Sequence, residues 1–251
     1  MVCALFGLVV GSFLNVVIHR VPRKESIVTP RSRCPGCGTQ LAVRDNIPVL
    51  SWLVLRGRCR TCKEPISWRY PAVEVGTAAL FAAAAIRFGA DAVLPGFLVF
   101  FAALLAISVI DLDHFVIPNR ILYPVLVASV PLILLAALAN HDWRSLREAA
   151  IGCAVAWVIL RVIHFVSPRG MGYGDVRLSA LIGLWLGWIT LPHVLLGLFL
   201  SFLLASVIGV TLIVTKVRSR KDRIPFGPYL AGGAVLAALV GSPLLHLYLH
   251  R

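Results

Sequence analysis

Four of the six cysteines fall in two short pairs, Cys34-Pro35-Gly36-Cys37 and Cys59-Arg60-Thr61-Cys62, with 21 residues between them. Each C-x2-C turn offers two sulfurs to one metal, and two such turns complete the tetrahedral thiolate shell that zinc takes. Neighbouring arginines favour the thiolate form that metals bind. Haem attachment would need a histidine directly after the second cysteine, where Gly38 and Lys63 stand. A shell closed by four sulfurs predicts a structural zinc ion on Cys34, Cys37, Cys59 and Cys62, with no open position for catalysis. The second candidate chemistry is acid–base. Asp111 ends the apolar run Phe100–Ile110, and Asp175 follows Gly170-Met171-Gly172-Tyr173-Gly174, 64 residues further on. Two carboxyls sharing one site cannot both ionise cheaply, so one keeps a proton while the other takes one from water. Such a pair titrates as a unit, which leaves the acid and base roles open. Gly172 and Gly174 form a candidate active-site loop, in which the backbone can turn sharply and approach another chain.

Whether the two aspartates can meet depends on the elements that carry them. The apolar fraction is 59%, charged residues make up 14% and the mean hydropathy is +0.88, against about 45–50% apolar and about 25% charged in soluble domains. A water-soluble enzyme and a disordered chain are excluded. A spanning helix needs about 20 mostly apolar residues, and eight runs qualify: 1–18, 72–89, 93–111, 120–139, 148–166, 176–190, 192–215 and 227–249. The run 176–190 is short, and Glu74 interrupts the second. The first run lacks the basic n-region of a cleavable signal and flows into Gly11-Ser12-Phe13-Leu14-Asn15. The expected fold is an all-α polytopic membrane protein of about eight transmembrane helices. Residues 1–18 form its first helix, 19–70 a cytoplasmic zinc-knuckle-like insertion, and 71–251 the remaining transmembrane core.

Charge orients this arrangement. Lys and Arg number 24 against 11 Asp and Glu, a net of +13. With 19–70 in the cytoplasm, the loops 112–119, 167–175 and 216–226 follow it there, and both termini lie outside. The inner side then holds eleven basic residues of 19–70, Arg120, Arg161, Arg169 and Arg177, and the run Lys216, Arg218, Arg220, Lys221 and Arg223. The outer side keeps only Arg87, Arg144, Arg147 and Arg251. Basic residues collect in cytoplasmic loops, so the excess charge is explained without nucleic acid as a partner. A reducing cytoplasm also argues against disulfides between the four knuckle cysteines. Cys3 and Cys153 fall in spans, as small core residues.

The same topology sorts the carboxylates. Asp91, Asp142 and Glu148 fall on the outer side, while Glu25, Asp45, Glu64 and Asp222 lie in basic loops where ion pairing or solvation suffices. Glu74, Asp111, Asp113 and Asp175 remain at the inner boundary, where a charged group is costly and usually functional. Glu74 has Arg69 and Arg177 as candidate partners, and Asp113 has the solvated turn before Ile117-Pro118-Asn119. For Asp175 the alternative is a helix cap.

Taken together, these residues resemble the prepilin peptidase family, the bifunctional leader peptidases and N-methyltransferases of type IV pilus and type II secretion systems. The resemblance rests on Gly11–Val16, the two C-x2-C knuckles, Asn46–Trp52 with Arg69-Tyr70-Pro71, and Ile110-Asp111-Leu112-Asp113-His114 leading to Ile117-Pro118. It continues through Gly170–Asp175 and Ile224-Pro225-Phe226-Gly227-Pro228. It implies that Asp111 and Asp175 are the two catalytic aspartates of a G-x-G-D aspartyl protease. Asp111 is favoured over Asp113 because it stands seven residues before the proline of Ile117-Pro118. The resemblance further implies cleavage of a short basic leader from a type IV prepilin or pseudopilin at the cytoplasmic face of the bacterial inner membrane. Methylation of the new amino terminus with S-adenosyl-L-methionine would follow. Arg177 stands where Lys is usual, and Asn119 where Asp often follows Ile-Pro. No glycine-rich nucleotide loop of the soluble methyltransferase kind is present, so the methyl-donor site is not located.

Two other functional classes fit parts of the pattern. A transporter would place acids deep within several spans and show repeat symmetry, whereas these acids cluster at one boundary. A scaffold that only binds secretion partners through its zinc module would need no aspartate pair. No H-E-x-x-H metalloprotease motif occurs, and the His246/His250 pair lies at the outer terminus.

Overall fold

Segments this apolar can satisfy their backbone in lipid only by closing hydrogen bonds within themselves, and the computed structural model is accordingly helical. It describes residues 1–29, 31–34, 36–168, 171–217 and 224–249. Pro35, Arg169, Gly170, Arg218, Arg220, Lys221, Asp222, Arg223, His250 and Arg251, which figure in the sequence reading, lie outside the described residues. The helices are α1 (Val2–Arg20), the short α2 (Leu50–Val54), α3 (Arg69–Phe88), α4 (Leu94–His114), α5 (Asn119–Asn140), α6 (Trp143–Val166), α7 (Tyr173–Ile189), α8 (Leu191–Val214) and α9 (Gly227–Leu249). Among the described residues there is no strand, only the isolated bridges Arg33–Gln40 and Arg58–Pro65.

Seven of these helices are long and apolar enough to cross a bilayer: α1, α3, α4, α5, α6, α8 and α9. The eighth expected span, 176–190, corresponds to α7, which has 17 residues. At 1.5 Å per residue it is about 25 Å long, short of the roughly 30 Å hydrocarbon core. Protein neighbours replace lipid around it: Val176, Leu178, Leu181, Ile182, Trp185 and Leu186 are all buried. The helix begins three residues earlier than its apolar run, so Asp175 sits inside its first turn.

The chain forms two compact units. In the first, Met1–Gly89, α3 pairs with α1. The contact is made through Gly7 and Gly11, since a methyl group at either would lie 2.6 Å from the Cα of Ala78 or Glu74. The second unit, Ala90–Arg251, holds α4–α9. Its core gathers Phe97, Phe100 and Phe101 of α4 around Trp185 of α7, with the Phe97 and Trp185 ring centroids 5.1 Å apart. Trp185 Nε1 donates to Ser129 Oγ of α5 at 3.0 Å, so the one polar atom of that ring is satisfied. Helices α6 and α7 touch backbone to backbone through Gly152, Gly183 and Gly187, and α8 meets α9 through Ser201 and Gly233. Lipid supplies no hydrophobic drive between helices, so close approach at small residues does the work of association.

The acidic residues assigned to the outer side serve as local braces. Asp91 Oδ1 accepts from Val93 N–H and Asn140 Nδ2, each at 2.8 Å. Asp142 caps α6 by accepting from Ser145 N–H at 3.0 Å. Glu148 takes Arg144 at 2.8 Å and the Leu191 N–H at 3.2 Å.

Candidate active site and metal site

The ends of α4, α7 and α9 meet in the second unit and carry the candidate acids. Asp111 lies in the last turn of α4 and is 5% exposed. Its Oδ2 accepts the N–H of Gly227 at 2.9 Å, from the first residue of α9. That donor is one of the amides a helix leaves unpaired at its start, and the helix dipole reinforces it. A methyl group at Gly227 would lie 2.7 Å from the same oxygen, so a larger residue here would push the Asp111 carboxyl aside.

Asp175 is equally buried, at 6% exposed. Its Oδ2 accepts the Gly172 N–H at 3.0 Å, while its own N–H donates to the Gly172 carbonyl at 3.1 Å. The capping alternative is therefore realised, and it leaves Asp175 in the first turn of α7, where the neighbouring Gly174 packs against Ile117, six residues beyond Asp111. Each carboxyl is anchored through Oδ2 by a backbone amide.

Neither glycine of the loop uses a left-handed backbone. Gly172 is extended, with φ −71° and ψ 148°, and Gly174 is helical. They supply room: Asp175 Oδ2 would lie 3.2 Å from a methyl at Gly172, and Ile117 Cβ 3.0 Å from one at Gly174. The Ile117-Pro118 block thus abuts the loop directly. The loop is held from behind by His164 of α6, whose Nδ1 lies 2.8 Å from the Met171 carbonyl. Tyr173 is flanked by Arg161 and Arg177, 5.2 Å and 4.5 Å from its ring centroid. Arg177 also donates to Asn119 Oδ1 at 2.9 Å. Asp113 is exposed and, two residues on along α4, does not share a helix face with Asp111.

Gly227 and His164 are the residues that the sequence reading missed. A backbone amide leaves no side-chain signature, although Ile224–Pro228 marked the segment. The single histidine near the end of an apolar helix carries no pattern of its own. Gly227→Ala tests the first directly. Displacing an acid by about 1 Å costs roughly a hundredfold in rate, so turnover should fall by about 10- to 100-fold with the thermal midpoint unchanged. Wild-type turnover in the alanine variant would show that the amide is incidental.

The first unit carries the second candidate. In each knuckle the first cysteine N–H closes a turn, Cys34 on the Thr39 carbonyl and Cys59 on the Glu64 carbonyl, both at 2.9 Å. The residue after each second cysteine takes a positive φ, 68° at Gly38 and 61° at Lys63. The two turns therefore share one backbone form despite different sequences. The Sγ atoms of Cys34, Cys37, Cys59 and Cys62 lie within 4.8 Å of one another, and all four thiols are free. Cys34 and Cys62 sulfurs are 3.7 Å apart, matching the edge of about 3.8 Å that a 2.3 Å Zn–S bond gives a tetrahedron. Asp45 takes Arg60 through both Oδ1 and Oδ2, and this hydrogen bonding holds its carboxyl below the usual range. Glu74 is buried within α3, and its Oε2 accepts the Val49 N–H at 2.7 Å.

These features define a class: a multi-pass helical membrane protein with two buried aspartates at converging helix ends and a cluster of four thiols able to hold a metal ion. Comparison with known proteins narrows it. The model of the Bacterial Peptidase A24 N-terminal domain matches residues 5–88, and that of the Type IV leader peptidase family matches residues 98–214. Among curated relatives, the prepilin leader peptidase/N-methyltransferase of Aeromonas hydrophila is 38% identical, over 98% of this chain and 92% of its own. That of Stutzerimonas stutzeri is 37% identical over 98% and 93%, and that of Bacillus subtilis (strain 168) 36% over 98% and 96%. No solved structure matches the chain significantly. The chain belongs to the type IV leader peptidase family.

Proposed function

We propose that this protein removes the leader peptide from type IV prepilins, or from the pseudopilins of type II secretion, and then N-methylates the new amino terminus. The observation that supports the reading is the burial of Asp111 at the end of α4 and of Asp175 at the start of α7, in a chain whose curated relatives bear that name. In the proposed reaction one carboxylate takes a proton from a water molecule lying between the two Oδ1 atoms. The water oxygen bonds to the scissile carbonyl carbon, while the protonated partner gives its proton to the carbonyl oxygen. Collapse of the resulting gem-diol breaks the C–N bond, with a proton passing to the leaving amine. The Gly227 and Gly172 amides keep both carboxyls in place throughout. Which aspartate starts protonated is a property of the pair.

The four cysteines suit a structural zinc ion, which would cross-link the two knuckles and fold residues between α1 and α3. One equivalent of zinc should copurify with the protein, and the Cys34→Ser/Cys59→Ser variant should lose it. Undiminished metal in that variant would refute the assignment. S-adenosyl-L-methionine would supply the methyl group. The described residues lack the strand-to-helix glycine loop that cradles nucleotides in soluble enzymes, so donor binding is not assigned to that kind of site.

The setting we propose is the bacterial inner membrane, with the dyad at the cytoplasmic face and both termini outside. A transporter would carry buried acids along its spans. The buried carboxylates among the described residues of the second unit are Asp111 and Asp175, both at one end. Mass spectrometry of a co-expressed prepilin tests the proposal, since it reads leader removal and methylation on one peptide. A full-length, unmethylated pilin would overturn it.

A further inference from the structure

One part of the first unit is inverted relative to a water-soluble fold. The five residues of α2 turn Ser51 and Trp52 inward: Ser51 Oγ donates to the Arg44 carbonyl at 3.0 Å and accepts the Ile47 N–H at 2.9 Å. Trp52 Nε1 donates to the Ile66 carbonyl at 3.0 Å. Leu50, Leu53 and Val54, spaced i, i+3, i+4 and so on one helix face, point outward at 54%, 57% and 68% exposed. Ile47 and Trp68 are also exposed nearby.

A second observation ties this face to a spanning helix. The Val49 N–H, immediately before α2, is held at 2.7 Å by Glu74 Oε2, five residues into the spanning helix α3. At 1.5 Å per residue that anchor is about 7.5 Å along α3 from its start, matching the roughly 5–10 Å to which interfacial helices sink. Val49 itself takes φ 60°, uncommon for a β-branched residue, in a tight turn closed by the Leu50 N–H on the Pro48 carbonyl. Trp68, the residue before α3, is of the type that collects at the headgroup level. Exposed Arg44, Arg56 and Arg58 flank α2 with charge complementary to anionic lipid.

We propose that α2 is an interfacial foot of the four-cysteine module: Glu74 holds it at headgroup depth, and lipid covers its Leu50, Leu53 and Val54 face. The module then rests against the bilayer surface and does not project freely into water. This inference stands on the membrane fold and is independent of the peptidase reading. Glu74, buried and unused by the aspartate chemistry, acquires a positioning role.

The test is lipid-phase photolabelling. The full chain is placed in vesicles of phosphatidylethanolamine and phosphatidylglycerol with a membrane-soluble carbene probe, and labelled residues are read by mass spectrometry. Ile86 of α3, exposed on a spanning helix, is the positive reference, and Thr39 and Gln40 at the knuckle tip are the negative ones. Leu50, Leu53 and Val54 should label like Ile86 and about tenfold above the tip, as expected for residues seated in the acyl boundary. Labelling at Ile86 with none on α2 would overturn the proposal. In Glu74→Ala the α2 signal should fall while that of Ile86 stays, and an unchanged α2 signal would refute the tether. A photo-crosslinking residue at position 53 covers the rival occupants. Adducts to lipid support the foot, whereas adducts to a prepilin or to a second copy of the chain contradict it.

Discussion

Gly183→Val should abolish both folding stability and cleavage, the largest effect expected from any residue outside the dyad. Gly183 faces the backbone of α6: a methyl group there would run into the Gly152 carbonyl and lie 2.6 Å from Ala156 Cβ. Gly187, one turn on, approaches the Glu148 carbonyl in the same way. These are main-chain neighbours, with no side-chain end that could swing aside. Overpacking of an ordinary core costs about 1–3 kcal/mol, and a rigid backbone contact should exceed that range. The consequence reaches the site because α7 carries Asp175 in its first turn. Forcing α7 off α6 moves that carboxyl away from Asp111. Thermal unfolding in detergent micelles, followed alongside prepilin cleavage, reads both effects. Gly209→Ala is the matched control, since the nearest atom to its new methyl is Ile224 Cδ1 at 3.9 Å. A Gly183→Val protein as stable and active as the Gly209→Ala control would contradict the packing account.

This contact also shows where sequence reading stops. Hydropathy placed the spans because lipid imposes length and apolarity on each segment separately, so α4, α5 and α8 could be located without knowledge of their neighbours. It flagged the segment of α7 as short, yet gave no reason. The reason is tertiary: Trp185 and Leu186 are enclosed by other helices, so α7 need not match the bilayer. Pairing between helices was not legible, because Gly7, Gly11, Gly152 and Gly183 look alike as letters while each has a different partner. Asp111 and Asp175 could be singled out as candidates because an acid at a membrane boundary is conspicuous. Their anchors could not, since the amides of Gly172 and Gly227 belong to the backbone. The cysteine module lay between these cases. The grouping of its four cysteines follows from spacing alone, but the outward face of α2 emerges only once Ser51 and Trp52 are seen turned inward.

In the proposed function, Asp111 and Asp175 bear the greatest weight. Asp111→Asn and Asp175→Asn each preserve shape and the Oδ2-side acceptor for Gly227 or Gly172, so the fold should survive. Each removes a group able to gain or lose the shared proton. Proton transfer alone contributes about 10²–10⁴ in rate, and members of a catalytic unit cost nearly the full effect when lost singly. Either substitution should therefore slow leader removal by at least about a thousandfold. Asp113→Asn, exposed and off the helix face of Asp111, should cut at the wild-type rate. The decisive measurement is the cleavage rate of one purified prepilin by these three variants, each first shown to unfold at the wild-type temperature. The account predicts loss in Asp111→Asn and in Asp175→Asn with full activity in Asp113→Asn. Robust cutting by either of the first two would contradict it.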